Sequence, residues 1–187
     1  MAGLMGMFFF VSLYVQGTLQ YSPVMTGLSF LPIPIIIGVT STYAPRLVGK
    51  IGFKPLLIIG TSLLTIGTFL LSFVTPEGTY LANVLPGLLV MAFGAGITFV
   101  SISVAATSGV PAHEAGLASG LVSTSQQMGG ALGLAILSGV ASAAAAGSLA
   151  SGTVSSVAHA SVAGYRAAFL VAAILTGIAL LIAVFII

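Results

Sequence analysis

The chain has 187 residues, of which four are basic and two acidic, while 58% are apolar and the mean hydropathy is +1.26. Since about a quarter of the residues in a soluble domain are charged, this composition excludes a soluble fold and indicates a polytopic protein of the lipid bilayer. The net charge of +2 argues against nucleic acid as a partner, and the absence of cysteine excludes disulfides and thiolate metal sites.

Long uncharged apolar stretches predict transmembrane helices, since a span needs about 20 helical residues and backbone groups in lipid must pair within their own segment. Uninterrupted apolar runs do not fit the alternation of barrel strands. We therefore predict an all-α membrane protein whose single six-helix domain, residues 1–187, is a fragment of a longer chain. The predicted helices cover residues 2–19, 27–45, 55–74, 81–110, 117–146 and 167–187.

The first predicted helix carries a polar stripe. Ser12, Gln16 and Gln20 follow one another at intervals of four residues, which places them on one helix face, and Tyr14 lies near them. Because amides facing lipid are unfavourable, we predict that Gln16, supported by Tyr14 and Gln20, lines a substrate cavity. Hydrogen bonding between helices, or interfacial anchoring of Gln20, is the alternative.

The second predicted helix contains Pro32 and Pro34, which predict a kink. A connection with three of the four basic residues follows it. The positive-inside rule places this connection, residues 46–54, in the cytoplasm, and alternation then places both termini there. The candidate residues of this cytoplasmic loop are Arg46, Lys50, Gly52 and Lys54.

The helices at 81–110 and 117–146 are rich in glycine and serine, which permits close backbone approach between membrane helices. We therefore predict that both lie inside the bundle, that the helix at 167–187 is peripheral, and that 147–165 is a flexible loop. The candidate helix-packing residues are Gly116, Gly120, Gly129, Gly130 and Gly133.

The acids and histidines lie in predicted connections, with Glu77 and His159 on the side opposite His113 and Glu114. This arrangement predicts no catalytic residues, no metal site, no cofactor and no enzymatic activity. An acid such as Glu114 just before a helix favours the helix N-terminus through the dipole.

The segment at 110–137, VPAHEAGLASGLVSTSQQMGGALGLAIL, resembles the cytoplasmic turn and following helix in the C-terminal half of EmrB/QacA-type multidrug exporters, which belong to the major facilitator superfamily. Around the second predicted connection, Lys50, Gly52 and Lys54 resemble the second copy of the superfamily's loop motif, although Gly49 stands where that motif has an acid. Gln126 replaces a commonly basic residue. The matching residues of the longer segment are Gly116, Ser119, Gly120, Gln127, Gly129, Gly130 and Gly133.

The resemblance implies that the chain is the C-terminal half-bundle of a major facilitator fold in a bacterial plasma membrane. It implies export of drugs or other lipophilic small molecules, coupled to protons, by two halves rocking around a central cavity. The first, second, fourth and fifth helices would line that cavity. Its partners would be the bilayer and the missing N-terminal helices, or a second copy.

Proton coupling needs a titratable group at membrane depth, and the predicted helices contain no Asp, Glu, His, Lys or Arg. We therefore expect that this polypeptide alone does not couple transport to a proton gradient. Two other readings remain open at this point, namely a self-contained six-helix protein that dimerises into a pore or transporter, and a scaffold subunit that does not transport.

Overall fold

The computed structural model describes residues 1–108, 110–111, 113–152 and 156–185, and every regular element among them is helical. One short π-helical turn, Tyr80–Val84, directly precedes a long α-helix. The predictions for residues 109, 112, 153–155 and 186–187 lie outside the described residues. The α-helices are α1 (Ala2–Gly17), α2 (Pro23–Ser29), α3 (Pro32–Ile51), α4 (Phe53–Leu71), α5 (Leu85–Thr107), α6 (Ala115–Ala150) and α7 (Val157–Phe185).

The described residues contain five helical segments long and apolar enough to cross a bilayer. Two of them are composite, since α2 with α3 covers Pro23–Ile51 and the π-helical turn with α5 covers Tyr80–Thr107. A further apolar helix, α1, has 16 residues. The predicted all-α polytopic membrane fold is therefore confirmed, with a count of five or six spans.

The span predicted over 27–45 is present but interrupted, because the chain forms two helices there and breaks just before Pro32, where a kink was predicted. The shorter one, α2, begins where the Ser22 side chain accepts a hydrogen bond from the Met25 amide at 3.3 Å, with Pro23 in its first turn. This is a standard N-cap arrangement. Pro32 then starts α3, since proline lacks the amide that would continue the preceding helix.

The predicted nine-residue cytoplasmic loop at 46–54 is also absent, because α3 continues to Ile51 and α4 starts at Phe53. Arg46 and Lys50 are therefore helical. Only Gly52 separates the two helices, and its φ of +82° lies in a region that favours glycine. The polar residues that indicated a loop are compatible with a helix end, where water solvates their charges.

The Ser/Ala/Gly segment at 147–165 is mostly helical rather than a flexible loop. α6 continues to Ala150 and α7 begins at Val157, ten residues before the predicted start. Alanine has the highest helix propensity of any residue, and the Ser156 hydroxyl accepts a hydrogen bond from the His159 amide at 3.3 Å. Composition indicated a linker here, but propensity and capping decided the structure.

Helices α4 and α5 pack closely, because glycines bring the two backbones together. A Cβ atom at Gly94 would lie 2.6 Å from the Gly60 carbonyl oxygen, and one at Gly67 would lie 2.6 Å from the Met91 amide nitrogen. Gly87 packs on Leu71 in the same way. Such contacts are typical of small residues at membrane helix interfaces.

The core of the bundle forms around α1. Phe10 and Tyr14 are almost fully buried, and the Phe10 ring lies 6.1 Å from the ring of Phe169 in α7. On α6, a Cβ atom at Gly133 would overlap Ala2. Helix α1 is therefore held between α6 and α7. The outer face of α7 stays exposed at Ile174, Ile178 and Leu181, so the peripheral position of the sixth span stays a prediction. Most of α6 is exposed along its length, so this helix is not in the interior of the described chain.

Long-range contacts join the connection after α4 to α7 at one end of the bundle. The Arg166 Nε atom donates to the Ser72 carbonyl at 3.2 Å, and the nearest nitrogen of His159 lies 3.5 Å from a Glu77 carboxylate oxygen. The Tyr14 hydroxyl donates to the Thr75 carbonyl at 2.7 Å. Gly52 lies at the other end of α4, so the basic connection and the connection bearing Glu77 lie at opposite ends of this helix.

We expect Arg166→Met to lower the free energy of unfolding by about 1 kcal/mol, since its guanidinium both donates to a terminal carbonyl of α4 and complements the helix dipole. Lys54→Met removes an exposed cation near the opposite end of the same helix and should have a smaller effect. Thermal unfolding of both variants in detergent would measure the difference. Equal melting temperatures for the two variants would contradict the expectation.

Candidate functional site

The predicted polar stripe of α1 lies on an exposed face of the helix. Gln16 is exposed, and its amide nitrogen donates to the Ser12 hydroxyl oxygen at 2.9 Å. The neighbouring side chains on this face, Phe9 and Leu13, are apolar and also exposed. The stripe therefore offers a polar group on an apolar surface that nothing in the described chain covers. Its role in a cavity stays a prediction.

The other two candidate residues of the cavity lie elsewhere. Tyr14 is fully buried on the opposite side of α1, where its hydroxyl connects this helix to Thr75. Gln20 lies beyond the end of α1 with a φ of +58°, and its amide donates to the Gly17 carbonyl at 2.6 Å. The structure thus gives Tyr14 a packing contact and Gln20 a contact at the helix end, and it does not bring them together with Gln16.

The predicted packing glycines of α6 divide into two groups. A Cβ atom at Gly130 would lie 3.0 Å from the Cγ atom of Met5, and Gly133 packs on Ala2, so these two glycines contact α1. A Cβ atom at Gly116, Gly120 or Gly129 would meet no atom within 4 Å. These three glycines therefore belong to an open surface of α6.

The basic residues of the predicted cytoplasmic loop are exposed around the α3–α4 junction. Arg46 lies over the ring of Tyr43, with 5.6 Å between the guanidinium carbon and the ring centroid. Lys50 occupies the last turn of α3, where a cation complements the helix dipole, and Lys54 lies in the first turn of α4. The junction is therefore a compact cationic patch at one end of the bundle.

A cavity of about 320 Å³ opens between α1, α4, α5 and α6. Its apolar walls include Leu64 and Phe99, and its polar groups include the Ser125 hydroxyl and the Gln126 amide. Binding sites for small molecules typically combine apolar walls with a few polar groups in this way. The cavity is therefore suited to a lipophilic molecule that carries a hydrogen-bonding group.

Thr98 also lines this cavity and is 8% exposed. Its hydroxyl oxygen has no hydrogen-bond partner within the described part of the chain. The oxygen faces Gly60 across the α4–α5 interface, where a Cβ atom would overlap it. This hydroxyl therefore belongs to the close helix packing as well as to the cavity wall.

The resemblance implied a cavity lined by the first, second, fourth and fifth spans, whereas the first, third, fourth and fifth spans line this one. The glycine contacts between α4 and α5 were not predicted. The glycine pairs carried a usable signal, because Gly60 and Gly67 on α4 and Gly87 and Gly94 on α5 are each separated by seven residues. No sequence signal identified the individual residues that line the cavity, since they come from four separate helices. Among the described residues, no three His, Asp or Glu side chains lie together as potential metal ligands.

A sequence profile of the Major Facilitator Superfamily matches residues 1–134. The chain is 38% identical over 147 residues to a puromycin resistance protein of Streptomyces alboniger, an alignment that covers 77% of this chain and 29% of that protein. It is 34% identical to a cephamycin export protein of Amycolatopsis lactamdurans over 69% of this chain and 27% of that protein. A multidrug resistance protein of Mycobacterium tuberculosis is 33% identical over 74% and 25% of the respective lengths.

Proposed function

Since the chain belongs to the Major Facilitator Superfamily, we propose that it is the C-terminal six-helix half of a proton-coupled exporter of drugs or other lipophilic small molecules. The names of the relatives, which describe antibiotic resistance and export, support this proposal. The aligned part of the chain spans 25 to 29% of the length of these curated relatives. Further helices of the same protein would therefore supply the remainder of the transporter.

The single observation that carries the substrate proposal is the exposed amide of Gln16, which with Ser12 interrupts an apolar face of α1. A polar group in the membrane is unfavourable unless it faces protein or water. The hydrogen-bonding requirement of the Gln16 amide would be met if it faced the N-terminal helices, or a second copy of this chain, across a central cavity. In that position the Gln16 amide nitrogen, which donates to the Ser12 hydroxyl, would donate instead to a hydrogen-bond acceptor of the substrate.

Proton coupling would depend on the other half of the transporter. The acids, histidines, lysines and arginines of this chain lie at or near the helix ends, in connections, or at Arg166 of α7. A carboxylate at membrane depth in the other half would therefore carry the proton. Proton-coupled export by the reconstituted 187-residue chain alone would contradict this part of the proposal.

We also propose that the α3–α4 junction faces the cytoplasm of a bacterium, with both chain ends on the same side of the plasma membrane. Three of the four basic residues flank Gly52, which is the distribution that the positive-inside rule associates with the cytoplasmic side. The connection bearing Glu77 then faces outward.

We expect Gln16→Leu to reduce export roughly tenfold at low substrate concentration, since losing a hydrogen bond in a desolvated site costs about 1–3 kcal/mol. The measurement is efflux of a lipophilic fluorescent dye from cells that express the gene with its native flanking sequence. The control, Thr65→Val, removes a hydroxyl that donates within α4 to the Thr61 carbonyl at 2.9 Å. It should leave efflux within about twofold.

Unchanged efflux in the Gln16→Leu variant would remove Gln16 from the substrate path. No efflux dependent on this gene under any condition would favour the scaffold alternative. Efflux by cells that express residues 1–187 alone would favour the self-contained transporter that functions as a dimer.

A further inference from the structure

The junction between α2 and α3 leaves one backbone carbonyl without its regular helical donor. In an uninterrupted helix, the Ile33 amide would donate to the carbonyl of Ser29. It donates instead to the Phe30 carbonyl at 3.1 Å, and Pro32 has no amide hydrogen to offer. The Ser29 carbonyl is therefore available to another donor.

The hydroxyl of Tyr80 supplies that donor, although 51 residues separate it from Ser29 in the sequence. Tyr80 is the first residue of the π-helical turn that begins the α5 span. Its ring lies 6.4 Å from the ring of Tyr21, between centroids. One side chain thus connects the two places where the backbones of these spans depart from α-helical geometry. Such departures often mark segments that change conformation.

The same two spans also pack on each other further along, between α3 and α5. A Cβ atom at Gly96 would overlap the Thr40 side chain, so these two backbones approach closely there. Gly96 is 16 residues after Tyr80, which is roughly 24 Å along a helix. Helices α3 and α5 therefore stay packed on each other well away from the Tyr80 hydroxyl, which acts at the ends of the two spans.

We propose that the hydrogen bond from the Tyr80 hydroxyl to the Ser29 carbonyl is a latch that holds α2 against the start of α5 and keeps this end of the transporter closed. The inference rests on the proposed function. Breaking the bond would leave the Ser29 carbonyl without a donor from the described chain. When the end opens, water replaces the tyrosine as donor. Tyr80 is therefore a positioning residue that favours the closed state.

The test uses Tyr80→Phe, which removes the hydroxyl and keeps the ring. A Thr26→Cys reporter is added, since Thr26 lies on α2 and is 3% exposed. The protein is expressed with its native flanking sequence, and any cysteines in that sequence are replaced. Labelling by a membrane-impermeant maleimide is measured per folded molecule after size-exclusion chromatography. We expect the labelling rate to rise at least threefold in Tyr80→Phe.

Two tyrosines serve as matched controls. Tyr21→Phe removes the neighbouring hydroxyl and leaves the bond to Ser29 intact, so labelling should stay unchanged. Tyr14→Phe removes another hydrogen bond from a tyrosine to a carbonyl, at Thr75, and should lower the melting temperature without changing labelling at Thr26→Cys. The same labelling rate in all three variants and the parent would overturn the latch.

The labelling assay separates the latch from the proposed function, because it does not require transport. Increased labelling in a protein that exports nothing would support the latch as a conformational device and contradict the exporter. Normal export with unchanged labelling in Tyr80→Phe would contradict the latch alone.

Discussion

Gly94→Ala should strongly destabilise the protein and lower its folded yield, because the α4–α5 interface has no room for a methyl group. The added Cβ atom would lie 2.6 Å from the Gly60 carbonyl oxygen and 2.7 Å from the Leu64 amide nitrogen. Both are backbone atoms, so a rotamer change cannot relieve the overlap and the helices must separate. Overpacking of this kind typically costs about 1–3 kcal/mol. The measurement is the yield and melting temperature of folded protein in detergent.

The matched control for this variant is Gly38→Ala. Gly38 is also within a membrane helix, but a Cβ atom there would meet no atom within 4 Å. Alanine has the better helix propensity, so this change should be neutral or slightly stabilising. A melting temperature for Gly94→Ala equal to that of Gly38→Ala would show that α4 and α5 do not pack as the structure places them.

Gly133→Ala should detach α1 from α6, which is the second large effect that we expect. The new methyl group would overlap the Ala2 side chain and lie 2.6 Å from the Ala2 Cα atom. Displacing α1 would also disturb Phe10, Val11 and Tyr14, which are buried in the core. We expect a loss of about 1–3 kcal/mol, measurable as faster proteolysis in addition to a lower melting temperature.

The control for this effect is Gly139→Ala, six residues further along α6, where a Cβ atom meets nothing within 4 Å. Protease sensitivity equal to that of the parent is expected for this variant. If Gly133→Ala were equally resistant, α1 would not depend on its contact with α6, and the placement of α1 in the core would be wrong.

The resemblance carried by residues 110–137 agrees with the family whose profile matches residues 1–134. The bounds of the spans were less predictable. Pro45 and Arg46 are helical although both indicated a helix end. Helix α3 continues until Gly52, whose positive φ ends it.

In the candidate site, too, some features were predictable from the sequence and others were not. The spacing of Ser12 and Gln16 predicted that they share a face, and the hydrogen bond between them agrees with that spacing. The burial of Tyr14 was not predictable, since it depends on the connection after α4 that contains Thr75. The hydrogen bond between Tyr80 and Ser29 was equally unpredictable from the sequence, because its two partners lie in different spans.

By itself, the sequence determined that this protein lives in a bilayer as a bundle of helices, because the cost of burying charge and unpaired backbone acts on each segment separately. The tertiary structure alone decided which glycines pack and which stay open. Gly94 and Gly133 contact a neighbouring backbone, whereas Gly116, Gly120 and Gly129 contact none. The physical reason is that lipid gives helices no hydrophobic drive to associate, so shape at each interface selects the partners.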